Sequence, residues 1–159
     1  MPSTDTAIAN ELLDTIVEAE RSLVVLRCDD VPSLLDLLHR HAIRTGQALY
    51  AWSADAGLRS LRDAQVPVSG ARRFGEALRH VIQSAHYGIY FFAEHPPLFD
   101  AALIPLLRQV ARLGGQHARR VVLLGAATEL PAGVGAFELS PGMAATTRPR
   151  LRDGRWMRA

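Results

Sequence analysis

Apolar positions in this chain follow two rhythms in turn, one of helical period and one of short unbroken runs. From Thr4 to about Glu20, Ile8, Leu12, Leu13, Ile16 and Val17 recur at helical spacing among Glu11, Asp14, Glu18 and Glu20, which predicts an amphipathic helix. The run Leu23–Cys28 then reads as a strand buried on both faces. A second helix is expected after Asp30, Pro32 and Ser33, which suit its cap and first turn; it carries Leu34, Leu35, Leu38 and Ile43 and ends near Gly46. The second strand is Ala48–Ser53, and 54–70 reads as a long connection containing Pro67 and Gly70. A third helix starting at Ser69 presents Phe74, Leu78, Val81, Ile82 and Ala85, and a third strand spans Tyr87–Glu94. A fourth helix from about Asp100 to Leu113 stops at Gly114-Gly115, and a fourth strand covers Arg120–Ala126. A short strand near Ala136–Leu139 follows, and Asp153-Gly154 signals a hairpin turn.

Strands alternating with helices require crossover connections and a mostly parallel sheet. The fold expected is a three-layer α/β/α domain over residues 1–147, with about five strands and a degenerate P-loop NTPase-like architecture. A flavodoxin or receiver-like fold is the alternative. Residues 148–159 form an arginine-rich tail.

In such sheets, ligand sites lie beyond the carboxyl ends of the strands. Asp29, Asp30, Trp52, Asp55, Glu94, His95 and Thr128 fall there and are the candidate ligand or partner site. The acids point towards nucleotide chemistry, since Glu94 ends an apolar strand as a magnesium-holding or water-activating acid would. The phosphate-binding parts are missing. A P-loop needs a glycine-rich turn after the first strand, then a lysine and a hydroxyl. The first strand here runs into Cys28-Asp29-Asp30-Val31-Pro32, with no glycine and two negative charges, and all eighteen basic residues of the chain are arginine. Without a cradle, Glu94 has no substrate to act on, and its simpler role is to cap the adjoining loop.

Other chemistries fare no better. Cys28 lacks the glycine-rich anion loop and the arginine of a phosphatase, position 34 being Leu34, and its acidic neighbours disfavour a thiolate. His39 and His41, two apart on a helix, face different sides, and one cysteine rules out a thiolate zinc site. No Gly-x-Ser-x-Gly elbow is present. No cofactor, metal or catalytic residue is expected, and the reading is of a non-enzymatic interaction or regulatory module; a nucleotide-sensing pseudo-ATPase, or an enzyme of unrecognised type using the acids at the strand ends, is the alternative. In the receiver alternative, Asp29-Asp30 would be the acidic pair, Glu94 would replace the phospho-acceptor and Thr128 would approximate the switch hydroxyl, but the required lysine is absent.

Composition is that of an ordinary soluble domain, 48% hydrophobic and 21% charged, with net charge +2. The positive charge concentrates in the tail, where Arg148, Arg150, Arg152, Arg155 and Arg158 face only Asp153. The plain reading is a solvated terminus; the sharper one is a contact for an acidic partner. Only Trp156 interleaves with these arginines, which disfavours nucleic acid. The single cysteine, the lack of a signal-like opening and the lack of a long apolar run lead to the expectation of a cytoplasmic protein without a membrane span.

Four stretches, in order, carry a family resemblance: Arg27-Cys28-Asp29-Asp30-Val31-Pro32-Ser33-Leu34-Leu35; Tyr50-Ala51-Trp52-Ser53-Ala54-Asp55-Ala56-Gly57-Leu58; Tyr90-Phe91-Phe92-Ala93-Glu94-His95-Pro96-Pro97-Leu98-Phe99; and Val121–Leu124 followed by Glu129-Leu130-Pro131. They make residues 8–143 similar to the N-terminal region of the cyanobacterial and plastid AAA ATPases encoded by the hypothetical-chloroplast-frame genes. That family often has glutamates at the first acid pair and an aspartate at the third-strand acid, where this chain has Asp29, Asp30 and Glu94. The resemblance implies a degenerate P-loop-like domain that precedes a AAA motor, does not itself hydrolyse nucleotide, and works through protein contacts. The given chain ends before any such motor. The expected partners are therefore a AAA ATPase or a second copy of the chain.

Overall fold

The strands at the centre of the molecule send alternate residues into two separate apolar layers. The computed structural model describes residues 4–63, 66–113, 119–125, 130–131, 134–139, 150–152 and 155–157. Its elements are α1 (Thr4–Glu18), β1 (Leu23–Leu26), α2 (Val31–Thr45), β2 (Leu49–Ser53), β3 (Gly57–Ser60), α3 (Phe74–Gln83), β4 (Gly88–Phe92), α4 (Leu103–Ala111), β5 (Arg119–Leu124) and β6 (Phe137–Leu139). A separate two-stranded hairpin consists of β7 (Arg150–Arg152) and β8 (Arg155–Met157).

Val24, Leu26, Ile89, Phe91, Val122 and Leu124 pack with Leu12, Leu13 and Ile16 of α1 and with Leu34 and Leu38 of α2. Leu23, Tyr90, Phe92, Val121 and Leu123 pack with Phe74, Leu78 and Val81 of α3 and with Leu107 and Val110 of α4. The period of two along each strand thus fills both faces, and this is why these runs carry no polar positions. The result is three layers: α1 and α2, the sheet, α3 and α4.

The sheet has six strands in the order β3-β2-β4-β5-β1-β6. Five are parallel, and β3 pairs antiparallel with β2 at the edge. Numbered by appearance, the parallel strands run 2-3-4-1-5, which is not the 2-1-3-4-5 order of flavodoxin and receiver folds.

Two local expectations change. The connection 54–70 contains β3, hidden in the sequence because only Leu58 and Leu61 of this edge segment are apolar and buried. Gly57, with φ +71, makes the turn from β2 into it. A Cβ there would lie 3.0 Å from the Arg72 Cα, so the close backbone approach also requires glycine. The third helix begins at Phe74 rather than Ser69: Ser69 and Gly70 form a turn, with φ +73 at Gly70, and Glu76 then accepts the Arg73 N–H at 2.8 Å. The hairpin expected around Asp153-Gly154 is present as β7 and β8; those two turn residues lie outside the described ones.

Candidate functional site

The loop after β1 leads to α2 on one face of the sheet, and the loop after β4 leads to α4 on the other. In a doubly wound sheet, loops that diverge in this way flank the carboxyl edge at which ligands bind, here the end of β5. Asp29 and Asp30 flank it from β1, and Glu94 and His95 from β4; Asp55 follows β2, one strand further out. Thr128 lies outside the described residues, as do Arg148 and Arg158.

Three contacts close the β1 side. The Arg27 N–H donates to the Leu139 carbonyl at 2.8 Å, the Cys28 N–H to the Gly125 carbonyl at 3.2 Å, and the Gly125 N–H to the Leu26 carbonyl at 3.1 Å. The backbone that would turn towards a phosphate is tied into its neighbours instead. Asp30 then caps α2. Its Oδ1 accepts the Ser33 N–H at 3.1 Å, its Oδ2 accepts the Ser33 hydroxyl at 2.7 Å, and its carbonyl accepts the Leu34 N–H at 3.2 Å. Pro32 has no N–H to offer. A helix N-terminus is a ready anion site because of its unpaired amides and its dipole. Here the chain supplies its own anion, and the Ser33 bonds hold the Asp30 carboxyl below its usual range.

Cys28 is half-buried, and its thiol is pushed above its ordinary value, first by burial and then by the charges of Asp30 and Asp29. It has neither the exposure nor the electrostatics of a nucleophile.

On the β4 side, Glu94 is exposed and its Oε2 accepts the Ala54 N–H at 3.2 Å, stitching the end of β4 to the β2–β3 turn that holds Asp55. The sequence leads one to expect Glu94 to cap the loop at Pro96-Pro97; the bond it makes reaches the turn after β2 instead. The His95 Nδ1–H donates to the Pro96 carbonyl at 3.0 Å, and its ring stacks on Phe99 at 5.8 Å. Trp52 points away from the carboxyl edge. It is 5% exposed, donates from Nε1 to the Arg72 carbonyl at 2.9 Å and packs between Phe74 and Phe92 at 5.4 and 5.8 Å.

Glu94 and Asp55 meet at one turn, but β5 separates β4 from β1, so about 10 Å of sheet divides Glu94 from Asp29 and Asp30. Among the described residues no group of three or more His, Cys, Asp or Glu could hold a metal ion. A shallow cavity of about 320 Å³ lies over α3, against Ser69, Glu76, Arg79 and His80, and none of the sequence-predicted residues lines it. His80 is held below its ordinary pKa by burial and meets the Tyr90 ring edge-on at 6.3 Å.

Sequence reasoning missed one long-range contact at this edge. The Arg27–Glu138 ion pair at 3.0 Å joins β1 to β6, and nothing in the spacing of two residues so far apart announces it. Among the described residues no helix is long and apolar enough to cross a membrane.

The model of the SpoVK-like AAA ATPase N-terminal domain matches residues 9–136, from within α1 to the threshold of β6. No curated protein and no solved structure gives a significant match. The match covers four helices, five of the six sheet strands and the loops after β1, β2 and β4, and it agrees with the AAA ATPase part of the resemblance drawn from the four motifs: this chain belongs to the family of SpoVK-like AAA ATPase N-terminal domains.

Proposed function

We propose that this domain is a non-enzymatic interaction or regulatory module built on a degenerate P-loop-type sheet. One observation carries the reading: the Asp30 carboxylate occupies the N-terminus of α2, where a nucleotide-binding domain of this layout would present free amides to a phosphate. The Cys28 N–H is tied to Gly125, the Ser33 N–H to Asp30, and the charge of Asp29 adds to that of Asp30, so a triphosphate would meet repulsion there. Glu94 keeps the place of a catalytic acid but serves the β2–β3 turn. What such a domain offers is surface, and a protein partner, whether a AAA motor or another copy of itself, is the class that fits.

Titration calorimetry with ATP and magnesium tests the reading. No binding heat is expected up to millimolar nucleotide. Micromolar binding that is weakened by Glu94→Ala would overturn it in favour of a nucleotide-sensing site.

A further inference from the structure

A second stripe of side chains runs along α3 beside its buried one. Phe74, Ala77, Leu78 and Val81 are buried. Glu76, Arg79, His80 and Gln83 recur at helical spacing on another side and line the cavity of about 320 Å³, which Ser69 and Gly70 of the preceding turn complete. Every side chain in that lining is polar. The charge around it is positive: residues 69–83 hold Arg72, Arg73 and Arg79 against Glu76, a formal +2. The domain that carries it is negative. Residues 148–159 hold five arginines and one aspartate, a formal +4, which leaves −2 on the first 147 residues of a chain whose total is +2.

The pairing expected of such a stripe does not form. Glu76 and Arg79 are three residues apart, the spacing of an ordinary helical ion pair. Glu76 instead accepts the Arg73 N–H at 2.8 Å in the first turn, where the helix dipole favours a carboxylate. Arg72, Arg73 and Arg79 are exposed, and none of them makes an ion pair among the described residues. His80 is fixed from below: its ring meets Tyr90 edge-on at 6.3 Å, and Tyr90, itself buried, stacks on Tyr50 at 4.7 Å. Burial holds this imidazole below its ordinary pKa, so at pH 7 it is neutral and has one N–H to give.

With the Glu76 carboxylate engaged by backbone, the cavity offers mainly donors: a guanidinium, an amide, a hydroxyl and an imidazole N–H. A carboxylate matches that set, because each of its oxygens accepts more than one bond and a guanidinium fork binds both. The shallowness decides where the carboxylate comes from. Sites for free small molecules bury most of their ligand, which this cavity is too open to do. A side chain carried on a protein surface brings the rest of its contact with it.

We propose that the cavity beside α3 is a docking site for an acidic segment of a protein partner, with one glutamate or aspartate side chain of that segment held by Arg79, His80 and Gln83. Arg72 and Arg73 add attraction at the rim, which speeds encounter more than it tightens the complex. The inference rests on the interaction reading of the domain for its kind of occupant, and its failure is separable from failure of that reading, which is measured with ATP.

The test is fluorescence anisotropy of a labelled tetraglutamate peptide titrated with the full chain in about 50 mM salt, where screening is weak. Saturable binding is expected, and the tetraglutamine peptide should bind at least about tenfold more weakly. Arg79→Glu should weaken the tetraglutamate complex at least about tenfold, and Gln83→Ala severalfold. Arg44→Glu makes the same charge change at an exposed position of α2, on the opposite face of the sheet, and should leave binding nearly unchanged. Melting temperatures check that each variant folds. Absence of saturable binding up to about 1 mM protein would overturn the proposal. So would equal binding of the two peptides, or an Arg44→Glu effect as large as that of Arg79→Glu, which would reduce the attraction to net charge. Displacement of the peptide by micromolar free L-glutamate would assign the cavity to a small molecule and overturn the partner.

Discussion

Arg119 and Arg120 stand next to each other at the start of β5 and reach to opposite faces of the sheet, where each closes the carboxyl end of a helix. The Arg119 Nη1 donates to the carbonyls of Val81 (3.0 Å), Ile82 (2.8 Å) and Ser84 at the end of α3. Arg120 donates from Nε to Ile16 at 3.2 Å and from Nη2 to Val17 at 2.9 Å and Ala19 at 3.4 Å, at the end of α1. The last carbonyls of a helix have no partner within it, and a cation there also meets the negative end of the dipole. Burial pulls Arg120 below its ordinary pKa. Replacing either residue by methionine keeps the aliphatic packing; the Val81 and Ile16 carbonyls retain the Ser84 and Ala19 N–H, but the Ile82 and Ser84 or the Val17 and Ala19 carbonyls lose the guanidinium donor, so each change should lower unfolding free energy by about 1–3 kcal/mol. Denaturant titration measures it; a loss below about 0.5 kcal/mol would show that water replaces the guanidinium at no cost.

Asp30→Ala removes the α2 cap and should lower the melting temperature at neutral pH, while Asp30→Asn should recover part of the loss. The folded-state pKa of Asp30 lies below 3.8, so its contribution is complete above that value and is lost as pH falls through the lower folded pKa. The gap between wild type and Asp30→Ala should therefore hold constant down to about pH 5 and close in stronger acid. A gap independent of pH would mean that the carboxylate charge plays no part.

Trp52→Ala should cost about 3–5 kcal/mol, the usual range for truncating a buried aromatic. Trp52→Phe keeps most of the packing with Phe74 and Phe92 but strands the Arg72 carbonyl, and should cost nearer 1–2 kcal/mol. Equal losses for the two would assign the whole effect to that hydrogen bond.

Gly57→Ala and Gly46→Ala form a matched pair. Both glycines have φ above +70°, but the added methyl meets open space at Gly46 and backbone of Arg72 and Ala71 at Gly57. Gly46→Ala should cost only the left-handed penalty, about 1–2 kcal/mol, and Gly57→Ala should exceed it and expose the β3 edge to proteolysis. Equal stabilities for the two variants would sink the account of the β2–β3 turn.

Cys28 should alkylate slowly at neutral pH, with a rate that is still rising with pH at the free-thiol value of 9.0 and levels off only above it. The second-order rate with iodoacetamide against pH gives the titration directly, and a rate plateau near pH 7 would reveal a thiolate that neither burial nor Asp29 and Asp30 permits.

The strands of the centre were legible because burial on both faces removes every polar position: Leu23–Leu26, Ile89–Phe92 and Val121–Leu124 announce themselves as unbroken apolar runs. The Asp30 cap was legible for a local reason, since its partner Ser33 is three residues away. β3 was not, because an edge strand answers to one buried face and a guarded rim, and residues 57–60 include one bulky apolar side chain. Trp52 was placed at the correct strand end, but which way a strand-end aromatic turns depends on the carbonyl waiting for its N–H, here Arg72, twenty residues on. The strand order, which sets β5 between the two acidic loops and keeps Glu94 apart from Asp29 and Asp30, is a property of long-range pairing and has no local signature.

The pairing of β1 also dictates an order of assembly. Leu23 lies beside Val121 and Val24 beside Phe137, so the first strand of this sheet to be made is the one whose two neighbours in the sheet are made last. Until residue 119 emerges, Leu23–Leu26 has no strand to pair with on either side, and closing loops of that length is entropically costly and slow. Until then the nascent domain must shelter four consecutive apolar residues, and α1, whose buried face packs on the same layer, is a segment already available to cover them.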